Sequence, residues 1–317
     1  CTGTSVPLNG SFGGSAISVE WIGGLGNFNP NRNDPNAAYT PHPSEAGTTV
    51  NLLLRTNDPP GVCEAVEDLT TVTVYQQPTA NAGPNGFSCS FNYILAAVPS
   101  AGTGTWTQFS GPGVAVFANP NSPASGVTVN QYGTYVFIWT EVNGICSDDD
   151  DVTVNFFEQP DADAGLDNST CGLTISLAAT PSVGIGTWTR TSGPGNANFA
   201  NPNLATTSVT VDAYGTYVFR WTEVNGSCSD FDEVSIQFFQ QPIANAGSGG
   251  NSCNFEFTLN AVASVGTGTW TKKSGSGSVV FANPNSPSTL VTVGQYDTYE
   301  FTWTEVNGIC SDTDDVT

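Results

Sequence analysis

Residues 104–152, GTWTQFSGPGVAVFANPNSPASGVTVNQYGTYVFIWTEVNGICSDDDDV, decide the fold, because the chain contains them three times. Residues 186–234 read GTWTRTSGPGNANFANPNLATTSVTVDAYGTYVFRWTEVNGSCSDFDEV, and residues 268–316 read GTWTKKSGSGSVVFANPNSPSTLVTVGQYDTYEFTWTEVNGICSDTDDV. The offset is 171 − 89 = 82 residues on Cys89, Cys171 and Cys253, and it is the same on Trp106, Trp188 and Trp270 and on Cys146, Cys228 and Cys310. No insertion or deletion separates the copies. Solenoid repeats usually run to about 20–50 residues, so a longer period predicts one small domain per copy.

Within each copy the hydrophobic period is two. Tyr135, Phe137 and Trp139 alternate with Val136, Ile138 and Thr140, and residues 217–222 and 299–304 repeat the pattern. The aromatic face stays aromatic, whereas position 138 becomes Arg220 and then Thr302. An arginine requires a wet face, so the aromatic face is the predicted core. Short strands separated by turn-forming runs predict an all-β chain of tandem sandwiches with about seven strands each. The segment 132–135, YGTY, is similar to the tyrosine corner of immunoglobulin-like domains, although Cys146 lies too far beyond Tyr135 for the disulfide of an antibody domain.

The junction residues Gln76-Gln77-Pro78, Gln159-Pro160 and Gln241-Pro242 divide the chain into 1–78, 79–160, 161–242 and 243–317. Proline fixes its own backbone and biases the residue before it toward extended conformations, so the linkers read as short and stiff and the array as a rod. Residues 1–78 are a divergent unit, with strands expected near 5–9, 17–22, 49–55 and 70–75 and no helical periodicity. Aligned on the repeat, the first unit lacks a counterpart of 79–88 and the last stops short of a counterpart of 236–239. Either a longer chain is cut at an arbitrary phase, or a neighbouring copy lends a strand, so that copies join head to tail.

Domains of about 80 residues are marginal without a staple. The eight cysteines supply one pair per unit: Cys1 with Cys63, Cys89 with Cys146, Cys171 with Cys228, and Cys253 with Cys310. The close C-x2-C spacing of zinc sites is absent, so disulfides and an oxidising, extracellular setting are expected. Six Lys plus Arg against 28 Asp plus Glu give a net charge of −22, which repels nucleic acid and anionic membrane surfaces. Aromatics at 11% and hydrophobics at 38% argue against disorder. No apolar run is long enough to span a bilayer.

The pattern AxAGxxxxxC, GTWTxxSGPG, FxNPN, VTVxxYGTYVFRWTEVNGxCSDxDEV resembles the PKD-like and immunoglobulin-like repeats of large secreted proteins of the Bacteroidota, a group that includes gliding-motility adhesins. The first unit, with SVPLNGSFGGSA, WIGGLGNF and TNDPPGVC, resembles a sister repeat. The resemblance covers essentially the whole chain and implies export to a bacterial cell surface. It fixes the repeat type more closely than the function, because such modules serve as spacers, adhesive segments and fibre elements alike.

No catalytic constellation emerges. The single histidine, His42, lies in the turn-like segment YTPHPSE, and no nucleophile or orienting acid accompanies it. The acids after the second cysteine, Asp148 to Asp151 with Asp148 and Asp150 on one face, Asp230, Asp232 and Glu233, and Asp312, Asp314 and Asp315, are candidate calcium ligands or a charged strand edge. A second calcium candidate gathers Glu158, Asp161, Asp163 and Asp167 around Pro160. Asn9, Asn168 and Asn225 open glycosylation sequons. The expectation is a non-enzymatic extracellular fibre of self-associating copies without a cofactor other than calcium; the alternatives are an adhesin module that binds glycans and a spacer of a secreted hydrolase.

Overall fold

The computed structural model describes residues 1–317. The chain divides into two compact units, 1–158 and 159–317, each holding two hydrophobic cores. Apart from a single 3₁₀ turn, Pro43–Glu45, every element is a β-strand. The chain is an all-β tandem of immunoglobulin-like sandwiches.

The core of residues 82–156 shows the plan. A four-stranded sheet runs in the order Gly86–Ser88, Cys146–Phe156, Gly133–Asn143, Thr103–Ser110. A three-stranded sheet, Ala115–Phe117, Gly126–Val129, Asn92–Ile94, packs against it. That makes seven strands. The first strand, Gly86–Ser88, pairs in parallel with the last, Val154 opposite Gly86, whereas the other pairs are antiparallel. Residues 164–238 repeat the arrangement, with Asn168–Cys171 parallel to Cys228–Phe239. The first core, Val19 to Val74, has six strands in two three-stranded sheets, and four of them, Val6–Pro7, Val19–Gly23, Thr48–Thr56 and Glu67–Val74, fall where the sequence pattern put strands. The fourth core is also six-stranded, in two three-stranded sheets, and the sheet of Thr267–Ser274, Glu300–Asn307 and Cys310–Val316 lacks the parallel strand.

The aromatic alternation builds these cores. Tyr135, Phe137 and Trp139 are fully buried, and Trp106 stands directly opposite Trp139 on the neighbouring strand, with indole centroids 5.1 Å apart. Trp188 with Trp221 and Trp270 with Trp303 repeat the pair at 5.3 and 5.2 Å. Such tilted pairs each add about 1 kcal/mol beyond their buried area. The glycine of GTWT is required by this pair: a Cβ on Gly104 would sit 1.8 Å from the Trp139 ring, and Gly186 and Gly268 meet Trp221 and Trp303 at the same distance. The tyrosine corner is present in all three copies, where Tyr135, Tyr217 and Tyr299 each donate to the backbone carbonyl four residues upstream at 3.0 Å. On the outer face Arg220 lies over the Phe231 ring and pairs with Glu233 at 2.9 Å.

The cysteine pairing differs from the sequence expectation. Cys1 is bonded to Cys146 and Cys171 to Cys310, Cys89 and Cys228 are also in disulfide linkage, and Cys63 and Cys253 are free thiols on the surface. The expected pairs Cys1 with Cys63, Cys89 with Cys146, Cys171 with Cys228 and Cys253 with Cys310 are not formed. Strand length is the reason. Cys171 pairs in the ladder with Phe239, at one end of Cys228–Phe239, and Cys228 opens the other end. At about 3.3 Å per residue those ends are roughly 35 Å apart, against the 7 Å limit that a disulfide can bridge. Cys89 and Cys146 flank the ends of Cys146–Phe156 in the same way.

Candidate functional site

Each unit closes a joint between its two sandwiches, and the two joints are built alike. The late hairpin of the downstream sandwich turns through two residues, Gly144 and Ile145, with Asn143 opposite Cys146. Gly144 has φ +62°, the conformation a type II′ turn demands at its first position. This places Cys146 at the tip of the sandwich, where it bonds Cys1 of the upstream sandwich with Cα atoms 5.4 Å apart. The Tyr75 ring lies against Gly144, so close that a Cβ there would be 2.4 Å from it. The linker between is clamped from both sides: Asn143 Nδ2 donates to the Gln76 carbonyl at 2.9 Å, and Gln77 Nε2 donates to the Ser147 carbonyl at 2.9 Å. Thr2 N–H donates to the Tyr75 carbonyl at 3.2 Å.

The second unit repeats every part. Cys171 bonds Cys310, and the Phe239 ring covers Gly308. Asn307 Nδ2 reaches the Gln240 carbonyl at 2.8 Å, Gln241 Nε2 the Ser311 carbonyl at 2.9 Å, and Gly172 N–H the Phe239 carbonyl at 2.9 Å. Sequence reasoning identified the Gln-Gln-Pro linkers and the cysteines but not this assembly. The signal available to it was the invariant VNGxCS that opens each acidic strand.

The acids after the cysteine have a different duty from the one expected. Asp148 and Asp150 point inward from alternate positions, and their Oδ2 atoms accept the backbone N–H groups of Ala80 and Ala82 at 2.8 Å. Asp230 and Asp232 do the same for Ala162 and Ala164, and Asp312 and Asp314 for Ala244 and Ala246. The entering segment thus has its amides satisfied by carboxylates where a strand partner would otherwise serve. The outward acids meet cations where copies supply them: Glu233 with Arg220, and Asp315 with Lys273 at 2.6 Å.

Among the junction acids, Asp163 caps its own turn by accepting Gly165 N–H at 2.9 Å, and Asp167 accepts Ser235 N–H at 2.7 Å. Asp161 donates its N–H to Ser182, and Glu158 is exposed at the end of the first unit. No three metal-ligating side chains converge anywhere in the chain. The structure therefore does not assemble either calcium set. Asn9 and Asn168 are exposed and Asn225 is half-buried. His42 caps the 3₁₀ turn, its Nδ1 accepting Ser44 N–H at 3.2 Å.

A set of buried carboxylates escaped the sequence reading. Glu141, Glu223 and Glu305, the acids of WTEVN, are 1% exposed. Glu141 accepts the Trp139 indole N–H at 3.0 Å, Ser100 N–H at 3.0 Å, Ala101 N–H at 3.2 Å and the Ser100 hydroxyl. Burial pushes its pKa up, but the hydrogen bonds from Ser100, Trp139 and Ala101 outweigh that and hold the carboxyl below its ordinary range. Glu223 and Glu305 are held down in the same way by Ser182 with Trp221 and by Ser264 with Trp303. In the first sandwich Glu45 accepts Leu25 N–H at 2.7 Å, the Tyr39 hydroxyl at 2.6 Å and His42 N–H at 2.8 Å. Burial and then the bond to Glu45 raise the Tyr39 hydroxyl to about 12. These carboxylates are fully occupied by the fold, and none is presented to a substrate.

The fourth sandwich has a groove of roughly 340 Å³ lined by the apolar Phe257, Tyr299 and Phe301 and, over more of its exposed surface, by polar residues such as Asn254, Gln295 and Asp297. In the second and third sandwiches the corresponding place is filled by Phe156 and Phe238, which lie edge-on to Tyr135 and Tyr217 at 5.4 Å. All seven tryptophans are buried, so none offers an exposed platform to a sugar.

No protein-family model matches the chain, and no curated protein matches it. Among solved structures, the chain is similar to three immunoglobulin domains of titin, I67–I69, at 13% identity and TM-score 0.38 over 76% of this chain and 98% of that one. It is similar to the N-terminal eight immunoglobulin domains of Down Syndrome Cell Adhesion Molecule at 12% identity and TM-score 0.36, over 95% of this chain and 50% of that one. A single PKD domain, from KIAA 1837 protein, aligns with 27% of this chain and 92% of its own at 24% identity and TM-score 0.24.

Proposed function

We propose that this chain is a non-enzymatic structural protein of the extracellular space, a segment of a bacterial cell-surface fibre whose copies associate head to tail. The joint carries this reading. A disulfide, an aromatic stacked on a turn glycine and two side-chain clamps hold each pair of sandwiches, and the same parts recur in both units. Proteins whose domains must move relative to each other have little use for such a joint, and a load-bearing strand of domains has a direct one. Disulfides persist in oxidising compartments, which supports an extracellular address.

Electron microscopy of the purified chain at rising concentration tests the reading. Filaments with a regular axial repeat are the expected outcome, and isolated particles at every concentration would overturn it.

A further inference from the structure

The two disulfides that close the joints obey one rule: the first cysteine of a sandwich bonds the second cysteine of the sandwich that follows it. Cys253 is a first cysteine, aligned with Cys171, and Cys63 is a second cysteine, aligned with Cys146. Both are exposed thiols. The chain therefore carries two unused halves of the joint, one on its first sandwich and one on its fourth, and the two halves are complementary.

Other parts of the half-joints are uncovered too. In the first sandwich the corresponding sequence Gly61-Val62-Cys63 lies within the ten-residue loop 57–66 of its hairpin, where the second has the two-residue turn before Cys146. Gly144 and Gly308 are covered by Tyr75 and Phe239, but nothing lies within 4 Å of the Cβ position of Gly61, and Val62 is completely exposed. On the fourth sandwich, Ser252 and Asn254, which flank Cys253, line its open groove.

The geometry points to a covalent bond between copies: Cys253 of one chain with Cys63 of the next, which rebuilds between molecules the joint seen inside each unit. This rests on the head-to-tail reading and adds its lock. The bond forms by thiol–disulfide exchange with a small disulfide such as oxidised glutathione. One thiolate displaces a glutathione thiolate, and the second thiol then displaces the other, so that two thiols and one glutathione disulfide give one protein disulfide and two glutathione thiols. Because the contact is heterologous, it propagates and does not stop at a dimer.

The test uses the 317-residue chain with oxidised glutathione, read on non-reducing gels and by peptide mass spectrometry. The wild-type chain is expected to give a ladder of oligomers that collapses with dithiothreitol. C63S alone and C253S alone are expected to stay monomeric, while their equimolar mixture gives a dimer and nothing larger, containing the Cys63 to Cys253 peptide. No ladder from the wild type, dimers from either single variant alone, or a Cys63 to Cys253 link within a monomer would overturn the inference. Electron microscopy of the C63S/C253S double variant keeps the two ideas apart. Filaments there, with no wild-type ladder, remove the lock and leave the fibre, whereas a wild type that forms no filaments removes the fibre itself.

Discussion

Trp139 donates its indole N–H to Glu141, two residues farther along the same strand, at 3.0 Å, and both side chains are buried. The residues are on one face because strand side chains alternate. The pair brings a charge into each core and supplies it with donors. Replacing Glu223 with Gln should cost about 2 kcal/mol, because a side-chain amide has one acceptor oxygen for donors that now share two, and its NH₂ group faces them. Chemical denaturation of wild type and E223Q measures it.

The same carboxylates make stability pH-dependent in a definite direction. Their folded-state pKa values are lowered, so their contribution is present above the unfolded value, about 4.3, and is lost as pH falls through the folded one. Acid also relieves the self-repulsion of a chain with net charge −22, which acts the other way. The difference between wild type and E223Q isolates the buried group: it should be constant from neutral pH down to about pH 5 and shrink below that, followed by thermal melting at each pH.

Gly104, Gly186 and Gly268 each lie under an indole with no room for a methyl group. Gly186→Ala should destabilise by about 3 kcal/mol through overpacking against Trp221, whereas Gly172→Ala, at an open position with φ +97°, should cost about 1 kcal/mol through backbone strain alone. Urea titration of the two variants ranks them.

Inward aspartates accept the backbone amides of the entering segment. Asp232→Ala should therefore expose Ala164 N–H to faster hydrogen exchange and lower stability by about 1–2 kcal/mol, and a chelator should leave the wild-type melting temperature where it was. A melting temperature that rises with added calcium would restore a metal to the account.

Reduction should loosen the array and leave its cores standing. The bonds Cys1 to Cys146 and Cys171 to Cys310 each link two cores. Dithiothreitol should raise the rate of limited proteolysis at the linkers, 76–78 and 240–242, while the far-ultraviolet circular dichroism of the sandwiches stays unchanged.

The sandwich was legible in the sequence because each element of it is a local pattern. Alternation placed Tyr135, Phe137 and Trp139 inside, and Arg220 marked the wet face in advance. The cysteine partners were not legible. A constant spacing within each repeat is equally constant from one repeat to the next, and only the length of the strand between Cys228 and Phe239 rules out the local pairing. The acids were ambiguous for a similar reason: Asp148 and Asp150 look like ligands until the backbone of Ala80 and Ala82 is known to lie beside them. Glu141 passed unnoticed because a glutamate beside a core tryptophan looks like the solvated side of a strand until Ser100 is brought to it from 41 positions away.

The two-residue turn at Gly144 and Ile145 limits how such an array can diversify. A residue added there would carry Cys146 to the other face of its strand and away from Cys1, so length is fixed at the tip even where composition is free. The loop that carries Cys63 runs over 57–66, ten residues against two, and its thiol is one of the two that stand free. Variation among copies is then channelled onto the outward positions, as in Gln108, Arg190 and Lys272, where a lineage can change its surface chemistry without disturbing how one module seats on the next.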